Sequence, residues 1–215
     1  MKAILIPVKE FQHSKERLAP QFSEEQRATL AEALCDDIFG VVAEVKGIDR
    51  VYVVSREERA LATARARVWE TIVETEQISE SRSVDMASRR CAEEGVSALL
   101  RLPIDIPLVS AADIQALFAA LDPEPSAVLV PSRDGTGTNA LLRSPPSLFP
   151  SHFGPNSFGL HLAEAERCKA RIKIIRNSRI ALDIDEPADL DALGTMLDFD
   201  CATGGWLKQH HKKQR

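Results

Sequence analysis

The sequence predicts a doubly wound α/β domain with a mostly parallel sheet and helices on both faces. Three observations predict it: apolar β-type runs alternate with stretches of helical period, helix starts carry capping patterns, and no repeat or low-complexity linker divides the 215 residues. At 44% hydrophobic and 27% charged residues, the chain can bury one sizeable core.

The first run is Ala3–Pro7, followed by a long helical stretch, Ser23–Val45, opened by Ser23 with Gln26 three residues on. Val51–Ser55 and Val68–Val73 read as strands flanking a helix over Glu57–Arg67. A helix over Ser83–Glu94 leads to the strand Ala98–Leu102, and Ser110–Leu121, capped by Ser110 with Asp113, leads to Ala127–Pro131. The order is repeated βαβ, for which parallel strands are the economical arrangement. The second half is less regular. Turn-rich Ser132–Asn139 precedes a short run Ala140–Arg143, a Pro/Phe-rich loop Ser144–Asn156, a helix from Phe158 to Ala170, and strands at Ile172–Ile175 and Ile180–Leu182. Residues 1–195 are read as one domain and 196–215 as a C-terminal extension whose basic end, Lys208 to Arg215, is a frayed tail.

A net charge of −5 argues against nucleic acid and anionic membranes as partners, because both need a basic face. The ligand expected is small. The first apolar run is only strand length, so neither a signal peptide nor a membrane span is read and the cytoplasm is the expected location. Cys35, Cys91, Cys168 and Cys201 are far apart and form no metal or redox motif, so they are read as reduced cysteines.

Ligands of open α/β sheets bind beyond the carboxyl ends of the strands, and the unusual residues fall there. After the first strand come Lys9, Lys15 and Arg17 on one loop, a set suited to neutralising a triphosphate; the alternative is a solvated charged loop. No P-loop and no glycine-rich dinucleotide fingerprint is present. Arg101-Leu-Pro-Ile-Asp105-Ile-Pro-Leu108 runs an apolar strand into one acid, which caps a helix, binds metal or orders the loop. In Leu182-Asp183-Ile184-Asp185-Glu186-Pro187, alternate residues of an extended segment share a side, so Asp183 and Asp185 converge on one point. Hard oxygen donors without histidine or cysteine indicate magnesium or manganese. Pro187 then suits the first turn of a final helix. Pro131–Asn139 and Phe153–Phe158 combine glycines with hydroxyl residues and suit an anion, or else are turns.

Taken together, Pro-Val-Lys…Ser-Lys-x-Arg-Leu-Ala, Asp105-Ile-Pro-Leu, Pro-Ser-Arg-Asp-Gly-Thr-Gly-Thr-Asn-Ala-Leu-Leu, Phe-Gly-Pro-x-Ser-Phe-x-x-His and Leu-Asp-Ile-Asp-Glu-Pro-Ala-Asp-Leu resemble the CofC/FbiD guanylyltransferases, in order and from Lys2 to about Leu193. The resemblance implies a MobA-like nucleotidyltransferase fold. It also implies transfer of GMP from GTP to phosphoenolpyruvate, 2-phospho-L-lactate or 3-phospho-D-glycerate, with release of pyrophosphate, in deazaflavin coenzyme biosynthesis. By the same resemblance Asp105, Asp183 and Asp185 hold magnesium and are catalytic with Lys15. Lys9, Lys15 and Arg17 then face the GTP phosphates, and Thr138, Gly154 and Ser157 cradle the acceptor. Where that family has Gly-Leu-Asn opening a helix near the nucleotide, this chain has Ser83-Val84-Asp85. Either Asp85 accepts from the guanine or ribose edge, or Ser83 is a plain N-cap and Asp85 only favours the helix dipole. Phosphoenolpyruvate is preferred among the acids, on a moderate lysine content that looks bacterial. The rival readings are a nucleotidyltransferase using CTP or another triphosphate, or a molybdopterin acceptor, and a non-catalytic nucleotide-binding module. The oligomeric state, a homodimer included, is left open.

Overall fold

A computed structural model describes residues 1–196 and 200–211. Seven strands, β1 (Lys2–Val8), β2 (Arg50–Ser55), β3 (Glu70–Val73), β4 (Ala98–Arg101), β5 (Ser126–Pro131), β6 (Thr138–Ser144) and β7 (Arg171–Ile174), form one sheet in the order β3-β2-β1-β4-β6-β5-β7. All neighbours are parallel except β6, which runs antiparallel to β4 and β5. The exception follows from chain length. Only residues 132–137 separate β5 from β6, too few for the crossover that a parallel pair requires.

Eight helices complete the described chain: α1 (Glu24–Ala43), α2 (Glu58–Ala66), α3 (Glu80–Glu93), α4 (Ala111–Ala120), α5 (Ser157–Arg167), α6 (Ser178–Ala181), α7 (Pro187–Met196) and α8 (Ala202–His210). The two-residue period of β1 divides them between the faces. Ile4, Ile6 and Val8 pack with residues of α1, α2 and α4, whereas Ala3 and Leu5 pack with Val84, Ala87 and Cys91 of α3. The expected two-faced sheet is therefore what the alternating residues build. Ser23 and Ser110 form the capping boxes that their spacing predicts, with Gln26 and Asp113.

Three local expectations are corrected. The stretch 180–182 is not a strand. Asn177 accepts from the Arg179 and Ile180 N–H groups, and this cap starts the short helix α6, which Arg179 fastens to Asp113. Helix α3 opens before Ser83, at Glu80, because Ser79 is the cap that accepts from Arg82 N–H. At the C-terminal end, Lys208 and His210 belong to α8 rather than to a frayed tail. Trp206 and Leu207 of that helix are buried with Phe22, Leu30 and Leu34, and Asp37 of α1 accepts from Ala202 and Thr203 N–H. Residues 212–215 of the expected flexible end lie outside the described residues.

Candidate active site

Loops leaving the carboxyl ends of β1 and β4 meet the segment between α6 and α7. After β1, buried Phe11 and Leu18 anchor two short 3-10 turns, Phe11–His13 and Glu16–Leu18. Between them Lys15 takes the left-handed backbone conformation, φ 55°, which a residue with a side chain adopts only when its surroundings hold it there. Its surroundings are two acids. Lys15 Nζ lies 3.1 Å from Asp105 Oδ2 and 3.3 Å from Asp185 Oδ1. The Ile184 N–H donates to the Asp105 carbonyl at 2.9 Å, joining the two acid-bearing loops through the backbone.

Asp183 receives a hydrogen bond from Asn139 Nδ2 at 3.0 Å. Burial, then the charge of Asp105, pushes the Asp183 carboxyl up to about 6, despite the Asn139 bond that favours its charged form. Asp105 goes the other way. Burial would raise it, but the charges of Lys15 and Arg101 and the Lys15 hydrogen bond hold it below the usual carboxylate range. Burial would likewise lower Lys15, yet Asp105 and Asp185 keep its ammonium above the ordinary lysine value. Arg17 is more exposed and stands 3.7 Å from Asp185 Oδ2.

These groups sit on the seam of a cleft with two lobes. The larger, about 620 Å³, holds Thr138, Gly154 and Ser157 together with Asp105, Asp183, Asp185 and Arg17. The smaller, about 420 Å³, holds Lys9 and Lys15 with Gln77, Ser79 and Ser83. Asp105, Asp185 and Arg101 border both. The cationic loop expected to act as one set is thus divided, with Arg17 facing the larger lobe and the two lysines the smaller.

Asp85 lines neither lobe. It lies within α3, where its carboxylate accepts from Ser151 N–H at 3.0 Å and faces buried Arg143 at 3.8 Å. The expected contact with a base or ribose is replaced by a structural one: Asp85 fixes the loop before α5. Arg143 holds the same loop, donating to the Phe149 carbonyl and to Ser88 Oγ.

The start of α5 also differs from expectation. Its cap is Asn156 in the left-handed region, and the first N–H groups are already used, Ser157 N–H by the Gly154 carbonyl and Phe158 N–H by the Thr136 carbonyl. Ser157 Oγ accepts from Thr138 N–H at 2.8 Å. Hence the free helix-end donors expected for an anion are partly spent inside the protein. Gly154 has open space around a would-be side chain, but its φ of +127° excludes one on backbone grounds. A bulky residue there would test backbone strain before it tested ligand access.

Two further residues, Arg101 on the cleft wall and His161 behind it, support the site. Arg101 stacks over the Phe153 ring at 4.1 Å, pairs with Glu80 and donates to the Asn139 carbonyl at 3.1 Å, so it ties α3, β6 and the Phe153 loop together. A charged residue ending an apolar strand was its only signal. His161 is fully buried. Its Nε2 accepts from His152 N–H at 2.9 Å, so Nδ1 carries the proton and donates to Thr138 Oγ1 at 3.0 Å. Thr138 is left with its own hydroxyl hydrogen to donate.

Burial, then the charges of Arg143 and His152, holds the His161 imidazole down to about 3. A histidine whose folded value lies below its ordinary 6.5 contributes its full stability above 6.5 and loses it as pH falls toward 3. The stability advantage of the parent over His161→Gln should therefore shrink by about 1.4 kcal/mol per pH unit below about 6.5. Melting curves between neutral pH and about pH 4.5 check it, and a constant difference would exclude His161 as the titrating group.

Among the described residues, no group of three or more His, Cys, Asp or Glu is spaced to hold a metal ion. Asp105, Asp183 and Asp185 nevertheless all border the larger lobe, with the Lys15 ammonium set between Asp105 and Asp185. The donors still suit magnesium, which characteristically takes one or two protein carboxylates and completes its octahedron with substrate phosphates and water.

The mostly parallel sheet, with an acid-lined cleft of two lobes at its carboxyl edge, has the fold of the nucleotidyltransferases. Solved structures share the fold: one from Desulfovibrio desulfuricans G20, provisionally assigned as a nucleotide-diphospho-sugar transferase, aligns with TM-score 0.77 and 16% identity over 97% of this chain and 94% of that one. The 4-diphosphocytidyl-2C-methyl-D-erythritol synthase of Anaerococcus prevotii aligns with TM-score 0.60 and 10% identity over 97% and 96%. The chain belongs to the family described as guanylyl transferase CofC like, whose model matches residues 1–208. It is 36% identical to a phosphoenolpyruvate guanylyltransferase of Rubrobacter xylanophilus over 88% of this chain and 91% of the relative. It is 32% identical to a 2-phospho-L-lactate guanylyltransferase of Methanothermobacter thermautotrophicus, over 86% and 81%, and 31% identical to a 3-phospho-D-glycerate guanylyltransferase of Colwellia psychrerythraea, over 90% and 91%.

Proposed function

We propose that the protein transfers GMP from GTP to a small phosphorylated three-carbon acid, with phosphoenolpyruvate the first to test because the relative at 36% identity carries that name. The observation that carries the proposal is the shared seam: Asp105, Asp185 and Arg101 border both lobes, so one ligand in each would meet at these residues. The triphosphate would lie in the smaller lobe against Lys9 and Lys15, with Arg17 reaching the junction from the other side. The acid would lie near Thr138, whose hydroxyl hydrogen is free to donate, and near Ser157 and Gly154.

An oxygen of the acceptor phosphate attacks the α-phosphorus of GTP, the new P–O bond forms in line with the bond to the β-phosphate, and pyrophosphate leaves with that bond's electrons. The nucleophile is already an anion, so little acid–base chemistry is required and charge neutralisation dominates. Magnesium or manganese, held through Asp105, Asp183 and Asp185 with the substrate phosphates, would supply Lewis-acid neutralisation of the reacting oxygens. Lys15 pairs with Asp105 and Asp185, and Asn139 donates to Asp183. The reaction would then run in the cytoplasm and within deazaflavin coenzyme biosynthesis. No helix among the described residues is long and apolar enough to cross a membrane.

Pyrophosphate release should require GTP, magnesium and one of phosphoenolpyruvate, 2-phospho-L-lactate or 3-phospho-D-glycerate together. Release with none of these acids would overturn the acceptor assignment. Equal use of CTP would favour the wider nucleotidyltransferase reading.

A further inference from the structure

We infer that Gln77 and Ser83, both held by the buried carboxylate of Glu74, select guanine over adenine by presenting two acceptor oxygens to the smaller lobe. The inference rests on reading that lobe as the nucleotide side. Glu74 follows β3 directly, its N–H donates to the Ser55 carbonyl at 3.0 Å, and the residue is 9% exposed. Both of its oxygens are occupied as acceptors, Oε1 by Ser83 Oγ and Oε2 by Gln77 Nε2 at 3.3 Å.

Those two bonds decide what the neighbouring side chains can still offer. Gln77 Nε2 also faces the Val8 carbonyl at 3.4 Å, so the amino end of the amide is spent on two internal acceptors. Oε1 lies at the opposite end of the amide, and among the described residues nothing donates to it. An amide flip would set Oε1 against two acceptors and is excluded by repulsion. Ser83 has one hydroxyl hydrogen, with Glu74 Oε1 and the Ser79 carbonyl, at 3.1 Å, as its recipients. Toward any ligand Ser83 can therefore only accept.

Gln77 and Ser83 both line the smaller lobe. The pairing edge of guanine offers two adjacent donors, N1–H and the N2 amino group, whereas adenine turns the lone pair of N1 to the same place. Two fixed acceptors match guanine and repel adenine N1, so discrimination comes from repulsion as well as attraction. Inosine keeps N1–H but lacks the amino group, and should fall between them.

The test compares GTP, ITP and ATP on the parent, Gln77→Leu and Glu74→Gln, by pyrophosphate release with the accepted acid and by calorimetric binding without it. The parent should rank GTP above ITP above ATP. Gln77→Leu should lower kcat/KM for GTP on the order of tenfold to hundredfold, mainly through KM, and reduce the GTP-to-ATP ratio correspondingly. Glu74→Gln should reduce the same ratio, because a neutral amide cannot accept from both neighbours. Gln77 is a half-buried loop residue, so its variant remains informative if the buried Glu74 variant does not fold. An unchanged GTP-to-ATP ratio in Gln77→Leu would overturn the inference. A parent that binds GTP in preference to ATP, with a preference that Gln77→Leu weakens, but releases no pyrophosphate with any acid would overturn the proposed reaction and leave base selection standing.

Discussion

Asp183→Asn should lower turnover by about 100-fold or more at saturating GTP and magnesium while leaving the fold as stable as the parent's or more so. The two effects separate because this carboxylate works against the fold. Burial and the charge of Asp105 raise it to about 6 from the ordinary 3.8. An acid whose folded value is raised destabilises the folded state wherever it is ionised, so at pH 7 replacing it by neutral Asn removes a penalty of up to about 3 kcal/mol. Asparagine keeps an oxygen to accept from Asn139, so the local hydrogen bond survives. Turnover assays and melting curves on one preparation check both arms. More than about a tenth of parental turnover would show that Asp183 is not needed near the reacting phosphates. A marked drop in stability would show that its charge is compensated in the folded protein.

Lys15→Met should have the second largest effect, a loss in kcat/KM on the order of 100-fold with a fall in stability as well. Among the described residues the ammonium is the one group that touches both Asp105 and Asp185, and its side chain is only 7% exposed. Removing it leaves two carboxylates facing each other in a partly dry site, which destabilises far more than loss of a surface ion pair. A triphosphate brought to the same place would meet uncompensated negative charge. High magnesium should restore part of the stability if a cation can take the place of the ammonium between the acids. Lys15→Arg should not restore full activity, because a wider planar guanidinium replaces a point charge in a position held at positive φ. Parental activity in Lys15→Met would remove Lys15 from the site.

Much of the molecule is visible in the local pattern of the chain. The alternation of Ala3, Ile4, Leu5 and Ile6 assigns alternate side chains to opposite faces before any partner is known, and Ser23 and Ser110 mark helix starts because the capping box closes within four residues. The acids after β4 and before α7 stand out because a carboxylate at the end of an apolar run needs a partner. The run Ile180–Leu182 looks like a strand because a short apolar run has no period of its own, yet a single cap at Asn177 is enough to start a helical turn there.

The element order, the two-faced sheet and the loops on which the polar residues gather are written in the chain, since each of these depends on residues a few positions apart. How those loops are used is set by packing across the folded sheet. Lys15 meets Asp105 90 positions away and Asp185 170 away. Asp85 turns from the expected nucleotide side to Ser151 and Arg143. His161 holds Thr138 from another element. These pairings are set by the approach of separate loops across a folded sheet. Charge and hydrogen-bonding capacity name the candidates for such contacts, but the distances that choose among them exist only once the intervening chain has packed.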